Sequence, residues 1–398
     1  MKNHREPITR KDLEFLTEED LEKYIDEVRS SVDKDGGLHI QAQDQARERQ
    51  KVLAKPTGAL GTLEDISIQL SGITGKVKNS ISKKAIVIMS ADNGVVEEGV
   101  ASAPQSVTLS QTINFTRRLT GVGSMAKHFG IDLLVADVGV KLPIPNALYT
   151  DSMIEDGQLT NKIFNYRLAN GTKNLAKEDA MTRKQAMAAM VCGIEAAAAV
   201  KACNYGIFGV GEMGIGNTTT SACVLAALTG LPAERLVGRG GGLGDEGLAK
   251  KINIVDAAAK KCRDSACDVI GMMAKAGGFD ICAMTGAFLG AAHYRLPVVI
   301  DGYISAVAAL AACKISPNAV NFMFGSHLSK EQGYKVAMDA IGIKPYFDLG
   351  MRLGEGSGCP ISFNIIETAC ATMNGMATFD EGAIDADYLK EAEKGNFF

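Results

Sequence analysis

The sequence predicts an α/β protein in which helices flank a parallel β-sheet, with a smaller domain formed by helices from both ends of the chain. Continuous apolar runs at residues 85–91, 131–139 and 296–301 alternate with helix-like stretches, and strands that are buried on both faces are typical of parallel sheets. The 43 glycines also indicate many tight turns between such elements. A chain of 398 residues exceeds the usual size of one core, so we expect a large domain and a smaller one.

The composition excludes several classes of function. With a formal net charge of −4, the chain lacks the basic footprint of a nucleic-acid-binding protein. No apolar run reaches the ~18 residues that a membrane span requires, and the first residues lack the apolar core of a signal peptide. The nine cysteines contain no CxxC pair, which argues against a zinc site and against a disulfide framework. We therefore expect a cytoplasmic protein with no metal, no membrane partner and no nucleic-acid partner.

Both ends of the chain have helical patterns. Thr17 is placed to cap a helix whose Leu21, Ile25 and Val28 form one apolar stripe. Further predicted helices cover residues 41–53, 63–70, 181–202 and 361–376. Helices from the two ends can pack together, which is the reason for expecting a separate small domain.

The stretch GIFGVGEMGIGNTTTSA, residues 206–222, has the composition of a phosphate-binding turn. An apolar strand ends there, and Gly214 and Gly216 allow backbone N–H groups to approach an anion closely. The polar residues from Asn217 to Ser221 can cap and open the following helix. The spacing is neither that of a P-loop nor that of a dinucleotide-binding motif, so ATP and NAD are disfavoured. A glycine-rich strand-to-helix turn without a ligand is the alternative.

Acidic residues follow several of the predicted strands. Asp92, Asp137 and Asp301 each stand at the end of an apolar run, and Glu212 lies within the glycine-rich turn. Because the carboxyl ends of parallel strands meet at one edge of a sheet, these groups are predicted to converge on one crevice. At Asp92 the alternative is a solvated Asp-Asn-Gly turn.

Three further residues, Lys251, Glu355 and His327, are considered as possible site residues. Lys251 ends a second glycine-rich segment, residues 237–251, and could contact a phosphate, although most lysines only solvate a surface. Glu355 is flanked by glycines, and partial burial would raise its pKa and make it a better general base. His327 ends a last predicted strand, residues 320–327, where a structural hydrogen bond is the more usual role. Two glutamates in glycine-rich segments, Glu212 and Glu355, together with the phosphate-binding turn and the acidic strand ends, indicate a transferase or hydrolase of a small phosphorylated metabolite.

Seven motifs lie in order along residues 50–385. They are KPTGALGTLE (55–64), ADNGVVEEGV (91–100), VTLSQTINF (107–115), GEMGIGNTT (211–219), GGFD (277–280), VVIDG (298–302) and RLGEGSG (352–358). In sequence and in order these motifs resemble the nicotinate-nucleotide–dimethylbenzimidazole phosphoribosyltransferase family, which activates the lower ligand of cobamides. GEMGIGNTT and RLGEGSG form a specific pair, which a turn without a ligand does not explain.

The resemblance implies a homodimeric enzyme with a large Rossmann-like domain and a small helical domain built from both chain ends. On that basis we expect the large catalytic domain at 84–359, the small domain at 51–83 and 360–398, and a helical N-terminal extension at 1–50. The implied reaction moves the 5-phosphoribosyl group of nicotinate mononucleotide onto a nitrogen of a benzimidazole base, with inversion, and releases nicotinate. No cofactor is implied.

The resemblance also extends to single residues. Glu355 matches the base that takes the proton of the acceptor, and Glu212 is the second candidate catalytic residue. The positions that match the phosphate and ribose site are Gly214, Ile215, Gly216, Asn217, Lys251, Asp280 and Asp301. The positions assigned to the acceptor pocket are Asn93, Ala103, Gln111 and Leu353.

Two positions depart from the family pattern and bear on the acceptor. The first strand of the family usually ends in Asp-His-Gly, whereas this chain has Asn93 in the middle position, and Ala103 stands where the family often has serine. An alanine enlarges and dries the pocket, so a phenolic acceptor such as phenol or p-cresol is the alternative to a benzimidazole. A nucleotide-binding, non-catalytic subunit of a paired assembly is a further alternative, which the presence of Glu355 argues against.

Overall fold

A seven-stranded parallel sheet forms the centre of the computed structural model, which describes residues 7–240 and 242–387. The strands are β1 (Lys84–Ala91), β2 (Asp132–Gly139), β3 (Tyr149–Thr150), β4 (Ile154–Glu155), β5 (Gln158–Leu159), β6 (Ile163–Asn165), β7 (Ile207–Met213), β8 (Val298–Ile300) and β9 (Met323–Phe324). The sheet has the order β3-β6-β2-β1-β7-β8-β9, and all its pairings are parallel, whereas β4 and β5 form an antiparallel hairpin. Residues 1–6 of the predicted N-terminal extension and residues 388–398 of the predicted small domain lie outside the described residues.

Helices surround this sheet. The α-helices in the described ranges are α1 (Glu18–Asp33), α2 (Ile40–Val52), α3 (Thr62–Thr74), α4 (Ser106–Thr116), α5 (Gly121–Phe129), α6 (Arg183–Ala202), α7 (Asn217–Thr229), α8 (Asp245–Asp264), α9 (Val269–Ala276), α10 (Phe279–His293), α11 (Tyr303–Ile315), α12 (Tyr334–Ile341) and α13 (Cys359–Gly375). Short 3-10 helices lie at Asp12–Glu14, Lys34–Gly37, Gly94–Glu98, Asn146–Leu148, Ala233–Arg235 and Pro317–Phe322. The architecture confirms the predicted α/β class with a parallel sheet and flanking helices.

The central strands coincide with the apolar runs because both of their faces are covered. Every residue of β1 and of β7 is buried. The predicted strand at residues 320–327 is wrong over most of its length. A 3-10 helix opens at Pro317, whose fixed φ suits a first helical position, and continues to Phe322, so that only β9 pairs with β8.

Helices α6 and α10 pack closely because glycines remove side chains at their contact. A Cβ atom at Gly193 would lie 1.8 Å from the Ala283 carbonyl oxygen, and one at Gly286 would lie 1.8 Å from the Met190 carbonyl oxygen. Both clashes are with backbone, which cannot turn aside as a flexible side chain can. The two helices therefore form one tightly packed layer.

Helix α1 packs on α6 and α10 through the apolar stripe that the sequence predicts. The three residues of that stripe are buried, and Thr17 forms the predicted N-terminal cap. The Tyr24 hydroxyl also donates a hydrogen bond of 3.0 Å to Glu195 of α6. Apolar burial and one buried polar contact thus hold the N-terminal helix in place.

Replacing Tyr24 with phenylalanine is expected to destabilise the protein by about 1 to 3 kcal/mol, because a buried carboxyl group loses a hydrogen-bond donor. Urea unfolding of Tyr24→Phe measures the change. Tyr334→Phe is the matched control, since the buried Tyr334 hydroxyl has no hydrogen-bond partner among the described residues. Equal losses in the two variants would contradict the prediction.

Helices α2, α3 and α13 join the two ends of the chain. Arg49 Nε of α2 donates to the Met373 carbonyl oxygen of α13 at 2.9 Å, and Leu53 forms a β-bridge with Thr378. Helix α1 packs apart from this cluster, because its main contacts with other α-helices are with α6 and α10.

Among the described residues, α6 alone is long and apolar enough, by length and composition, to cross a membrane. However, 78% of its most apolar window is buried inside the protein. Core packing against its neighbours therefore accounts for the apolar character of this helix.

Candidate active site

A cavity of about 370 Å³ opens beside the turns that follow β7 and β8. Its walls include those two turns, the start of α4 with the segment before it, the segments before α8 and α12, and the glutamate-bearing segment before α13. The predicted site residues that line it are Ala103, Gln111, Glu212, Gly214, Ile215, Gly216, Asn217, Leu353 and Glu355. Residues from both halves of the chain thus meet in one cavity.

Glu355 lies on the cavity wall in an unusual backbone conformation. Its φ is 63°, and those of Gly354 and Gly356 are 81° and 84°; this left-handed conformation costs a residue with a side chain about 1 to 2 kcal/mol. Its carboxylate accepts hydrogen bonds from Gln111 Nε2 at 3.3 Å and from the Val122 backbone N–H at 3.2 Å. Burial raises the pKa of Glu355, and the Val122 N–H lowers it in part. The group therefore holds a proton more strongly than a solvated glutamate.

Asp301 holds the loop that carries Glu355, although it does not line the cavity. Its two carboxylate oxygens accept hydrogen bonds from the backbone N–H groups of Gly356, at 2.9 Å, and Gly358, at 2.6 Å. His327 Nε2 lies 3.6 Å from Asp301 Oδ1, and neither ring nitrogen has a hydrogen-bond partner among the described residues. Among the described residues, the ring of His327 thus does not form the expected structural hydrogen bond.

Two buried carboxyl groups, Glu212 and Asp280, share the side-chain amide of Asn217. Asn217 Nδ2 donates to Glu212 Oε2 and, at 3.2 Å, to Asp280 Oδ2. Burial raises the pKa of Glu212 to about 8, and the nearby Asp280 charge adds to this effect. Burial also raises the pKa of Asp280 to about 7, which the Asn217 hydrogen bond opposes. At neutral pH this pair therefore retains a proton.

The raised pKa values make the stability of the folded protein depend on pH. A carboxyl group whose pKa is higher in the folded chain stabilises fully below its unfolded pKa, and this contribution is lost as the pH rises through the folded pKa. For Glu212 and Asp280 the window runs from their ordinary values of 4.5 and 3.8 to about 8 and about 7. Each unit of difference between the folded and unfolded pKa of a group corresponds to about 1.4 kcal/mol in the free energy of folding.

We expect Asp280→Asn to lose less stability than the wild type between pH 5 and pH 8, because its amide cannot ionise. Thermal unfolding across this range measures the difference between the two proteins. Asp339→Asn is the control, since Asp339 is exposed and pairs with Lys335. Parallel curves for Asp280→Asn and the wild type would show that the buried pair does not titrate as described.

The glycine-rich turn packs closely on the end of β1. A Cβ atom at Gly214 would lie 2.3 Å from the Ala91 carbonyl oxygen, and Gly216 has a φ of 95° and forms the N-terminal cap of α7. The predicted capping by the side chain of Asn217 is wrong, because Asn217 is the first helical residue and its amide binds the two carboxyl groups. The amino end of α7, which carries the positive end of the helix dipole, lies at the cavity wall.

Lys251 brings a buried positive charge to this part of the site. Its Nζ donates to Thr218 Oγ1 at 2.9 Å and to the Gly238 carbonyl oxygen at 3.3 Å. Thr218 lines the cavity, whereas Lys251 lies behind it. Burial lowers the pKa of Lys251 to about 8, and the charge of Glu331 raises it in part. Lys251 and the positive end of the α7 dipole thus both bring positive charge to this part of the site, where Glu331 also lies in the wall.

Four of the predicted residues lie behind the cavity wall: Asn93, Lys251, Asp280 and Asp301. Asn93 is buried under the glycine-rich turn, where its Nδ2 lies 3.5 Å from the Ile215 carbonyl oxygen. Asn93 is therefore placed to support the turn, and it does not form part of the cavity surface.

Several residues of the wall were not predicted. They include Ser102, Thr218, Tyr303, Ser329, Glu331 and Arg352. Thr218 and Arg352 stand inside the GEMGIGNTT and RLGEGSG motifs, and Tyr303 directly follows VVIDG, so their motifs could have pointed to them. Ser329 and Glu331 follow no such motif.

Comparison with known proteins places the chain among enzymes. Residues 37–384 match the DBI_PRT phosphoribosyltransferase family model. The chain belongs to this phosphoribosyltransferase family. Over 348 residues it is 52% identical to the nicotinate-nucleotide–dimethylbenzimidazole phosphoribosyltransferase of Clostridium perfringens (strain ATCC 13124), covering 87% of this chain and 92% of the relative. The protein of the same name from Clostridium tetani (strain Massachusetts / E88) is 47% identical over 345 residues, covering 86% of this chain and 91% of the relative.

A solved structure of a relative has the same fold. CobT from Thermus thermophilus matches this phosphoribosyltransferase with a TM-score of 0.81 and 35% identity, covering 87% of this chain and 99% of that chain. The family that the seven motifs predict is thereby confirmed. The family match begins at residue 37, so α1 lies in the part of this phosphoribosyltransferase that precedes the match.

Proposed function

We propose that this phosphoribosyltransferase moves the 5-phosphoribosyl group of nicotinate mononucleotide to 5,6-dimethylbenzimidazole and releases nicotinate in cobamide (vitamin B12) biosynthesis. The names of the two clostridial relatives support this donor and acceptor. Within the site, the observation that carries the proposal is a buried carboxylate, Glu355, on the wall of the cavity that also contains the glycine-rich turn.

We place the donor phosphate at the amino end of α7, on the side of the cavity where Lys251 lies. Backbone N–H groups around Gly214 and Gly216 and the amino end of α7 are suited to an anion. Lys251 supports this position with a buried positive charge through Thr218. The neighbouring Glu212 lines the same wall and, protonated at neutral pH, can both donate to and accept from a ribose hydroxyl.

The acceptor is placed against the apolar part of the wall. The apolar side chains there include those of Val100, Ala103, Val107, Leu243 and Leu353. A flat aromatic ring fits such a surface, and burying it is favourable. Gln111 lines the same region and donates to Glu355, so it fixes the base beside the ring.

The transfer is a single displacement at C1′ of the donor. The lone pair of an acceptor nitrogen forms the new bond to C1′ while the bond to the pyridinium nitrogen breaks and returns its electron pair to that ring. Nicotinate leaves with a neutral ring nitrogen and needs little acid catalysis. Attack from the opposite face turns the β-linkage into an α-linkage. The proton on the other acceptor nitrogen passes to Glu355.

The identity of the acceptor distinguishes this function from its alternative, transfer to a phenolic acceptor. Ala103 lines the cavity and contributes no hydroxyl, which also suits a phenol or p-cresol ring. A phenolic acceptor has one oxygen to deprotonate and would therefore depend on Glu355 as well.

Nicotinate release from nicotinate mononucleotide tests the proposal. Release that requires 5,6-dimethylbenzimidazole, with formation of its α-riboside phosphate, is the expected result. Faster turnover with phenol or p-cresol would show that a phenol is the preferred acceptor and would leave the proposed mechanism unchanged. Donor binding without release, whatever acceptor is added, would overturn the proposal in favour of a nucleotide-binding subunit.

We also propose that the enzyme is a cytoplasmic homodimer with the domains expected from the sequence: residues 84–359, residues 51–83 with 360–398, and the extension 1–50. Helix α3 packs against both α2 and α13, and Arg49 of α2 donates a hydrogen bond to Met373 of α13. These contacts support a helical unit made from both chain ends. Light scattering after gel filtration tests the dimer, and limited proteolysis tests the division into domains.

A further inference from the structure

A second cavity lies at the opposite edge of the sheet from the candidate active site. Its volume is about 620 Å³, and Gly206 and Pro297, which directly precede β7 and β8, lie in its wall. The wall also contains residues that follow α3, α6 and α10. We call it the amino-edge cavity. Its charged and imidazole-bearing lining residues are His39, Lys76, Lys78, Lys201 and Arg295.

The amino-edge cavity is positively charged although the chain as a whole has a net charge of −4. Four of its described lining residues are lysine or arginine, and none is aspartate or glutamate. Such a segregation of one sign of charge in a concave surface raises the local concentration of anions.

One of these cations has a structural role. Arg295 donates from Nε to the Ile73 carbonyl oxygen at 3.1 Å and from Nη2 to the Gly72 carbonyl oxygen at 2.9 Å. It also donates from Nη1 to the Gly37 carbonyl oxygen. Arg295 thus satisfies the carbonyl groups at the carboxyl end of α3, where cations are favoured.

Among the described residues the three lysine side chains form no comparable hydrogen bonds, although the charge of Lys78 acts on Glu381. Within the described ranges, none of Lys76, Lys78 and Lys201 has a carboxylate oxygen within 4.0 Å of its ammonium group. Burial lowers the pKa of Lys201, and the charges of Arg295 and Lys76 lower it further. Burial and the Arg295 charge also lower the pKa of His39. The positive charge of Lys201 is therefore repelled by those of Arg295 and Lys76.

We propose that the amino-edge cavity binds a small anion that carries two or more phosphate groups. Three lysine ammonium groups supply strong hydrogen-bond donors to phosphate oxygens, and the Ser80 hydroxyl in the same wall supplies another. A multiply charged anion relieves the mutual repulsion of the cations, which a singly charged ion does only in part. The volume accommodates a phosphate chain alone or one attached to a nucleoside. This site is separate from the proposed donor site, which lies at the carboxyl edge.

Calorimetric titration of the full-length protein with tripolyphosphate tests the site. In the variant K76Q/K78Q/K201Q we expect the affinity to fall at least tenfold. The control K162Q/K314Q/K344Q removes the same charge from exposed lysines that do not line this cavity, and its affinity should match that of the wild type. Any tripolyphosphate held in the active-site cavity is retained in both variants, so the comparison isolates the second site.

Further ligands identify the source of the phosphate groups. Similar affinities for tripolyphosphate and ATP would support recognition of the phosphate chain itself, and binding of ATP alone would support a nucleotide. Equal weakening in both lysine variants, or equal binding of chloride at matched ionic strength, would overturn the proposal because only bulk charge would then be sensed. Tighter binding of a single-stranded RNA than of both phosphate ligands would overturn it in favour of a nucleic-acid surface.

Discussion

Glu355→Gln should lower kcat for phosphoribosyl transfer by about 10² to 10⁴, the range that general-base catalysis contributes. Glutamine keeps the size of the side chain, and its amide can still accept from the Val122 N–H, which now bonds Glu355 at 3.2 Å. The amide cannot take a proton from the acceptor. Because Glu355 is placed at the acceptor, the KM for nicotinate mononucleotide should change little.

The control for this variant is Glu27→Gln, which alters an exposed glutamate of α1 and should retain full activity. The pH profile gives a second check. Activity of the wild type should fall with decreasing pH at a pKa above the ordinary 4.5 of glutamate, because burial raises the pKa of Glu355. Undiminished turnover in Glu355→Gln would exclude this residue as the base and direct attention to Glu212.

Asp301→Ala should lower the free energy of unfolding by about 3 kcal/mol or more. Two backbone N–H groups, those of Gly356 and Gly358, would lose a charged acceptor inside the protein, and each such hydrogen bond is worth about 1.5 to 3 kcal/mol. The loop that carries Glu355 would also lose its anchor, so kcat should fall although the base is still present. Urea unfolding and nicotinate release measure the two effects.

Asp339→Ala is the comparison for this loss of stability. Asp339 and Lys335 form an ion pair whose side chains are 65% and 74% exposed, and such surface pairs contribute about 0 to 1 kcal/mol. If Asp301→Ala unfolds at the same urea concentration as Asp339→Ala, Asp301 does not hold the loop.

The strand ends show what the sequence could predict. Apolar runs located β1, β2 and β8, and the rule for parallel sheets placed their acidic ends at one edge. The rule could not tell which acids would reach a ligand. Asp137 accepts hydrogen bonds from the backbone N–H groups of Gly139 and Val140 within its own turn, and Asp92 accepts from the Lys141 N–H at 2.8 Å.

The parts of the site that the sequence did not predict depend on contacts between residues far apart in the chain. Gln111 and Glu355 are 244 positions apart, and their hydrogen bond exists only because α4 and the loop before α13 meet. The same is true of α1, whose apolar stripe was visible in the sequence while its partner helices, α6 and α10, were not. Local patterns predict elements well, whereas the pairing of elements follows from packing of the whole chain.

The left-handed backbone at Glu355 has a consequence for how the sequence can evolve. Glycine adopts this conformation without strain, so Glu355→Gly would relieve the backbone while removing the proposed base. The strained backbone therefore favours replacement of this glutamate, whereas its hydrogen bonds with Gln111 and Val122 and selection for activity oppose it. A lineage that no longer needed the reaction would be expected to lose Glu355 early and to keep Asp301, whose role in folding persists.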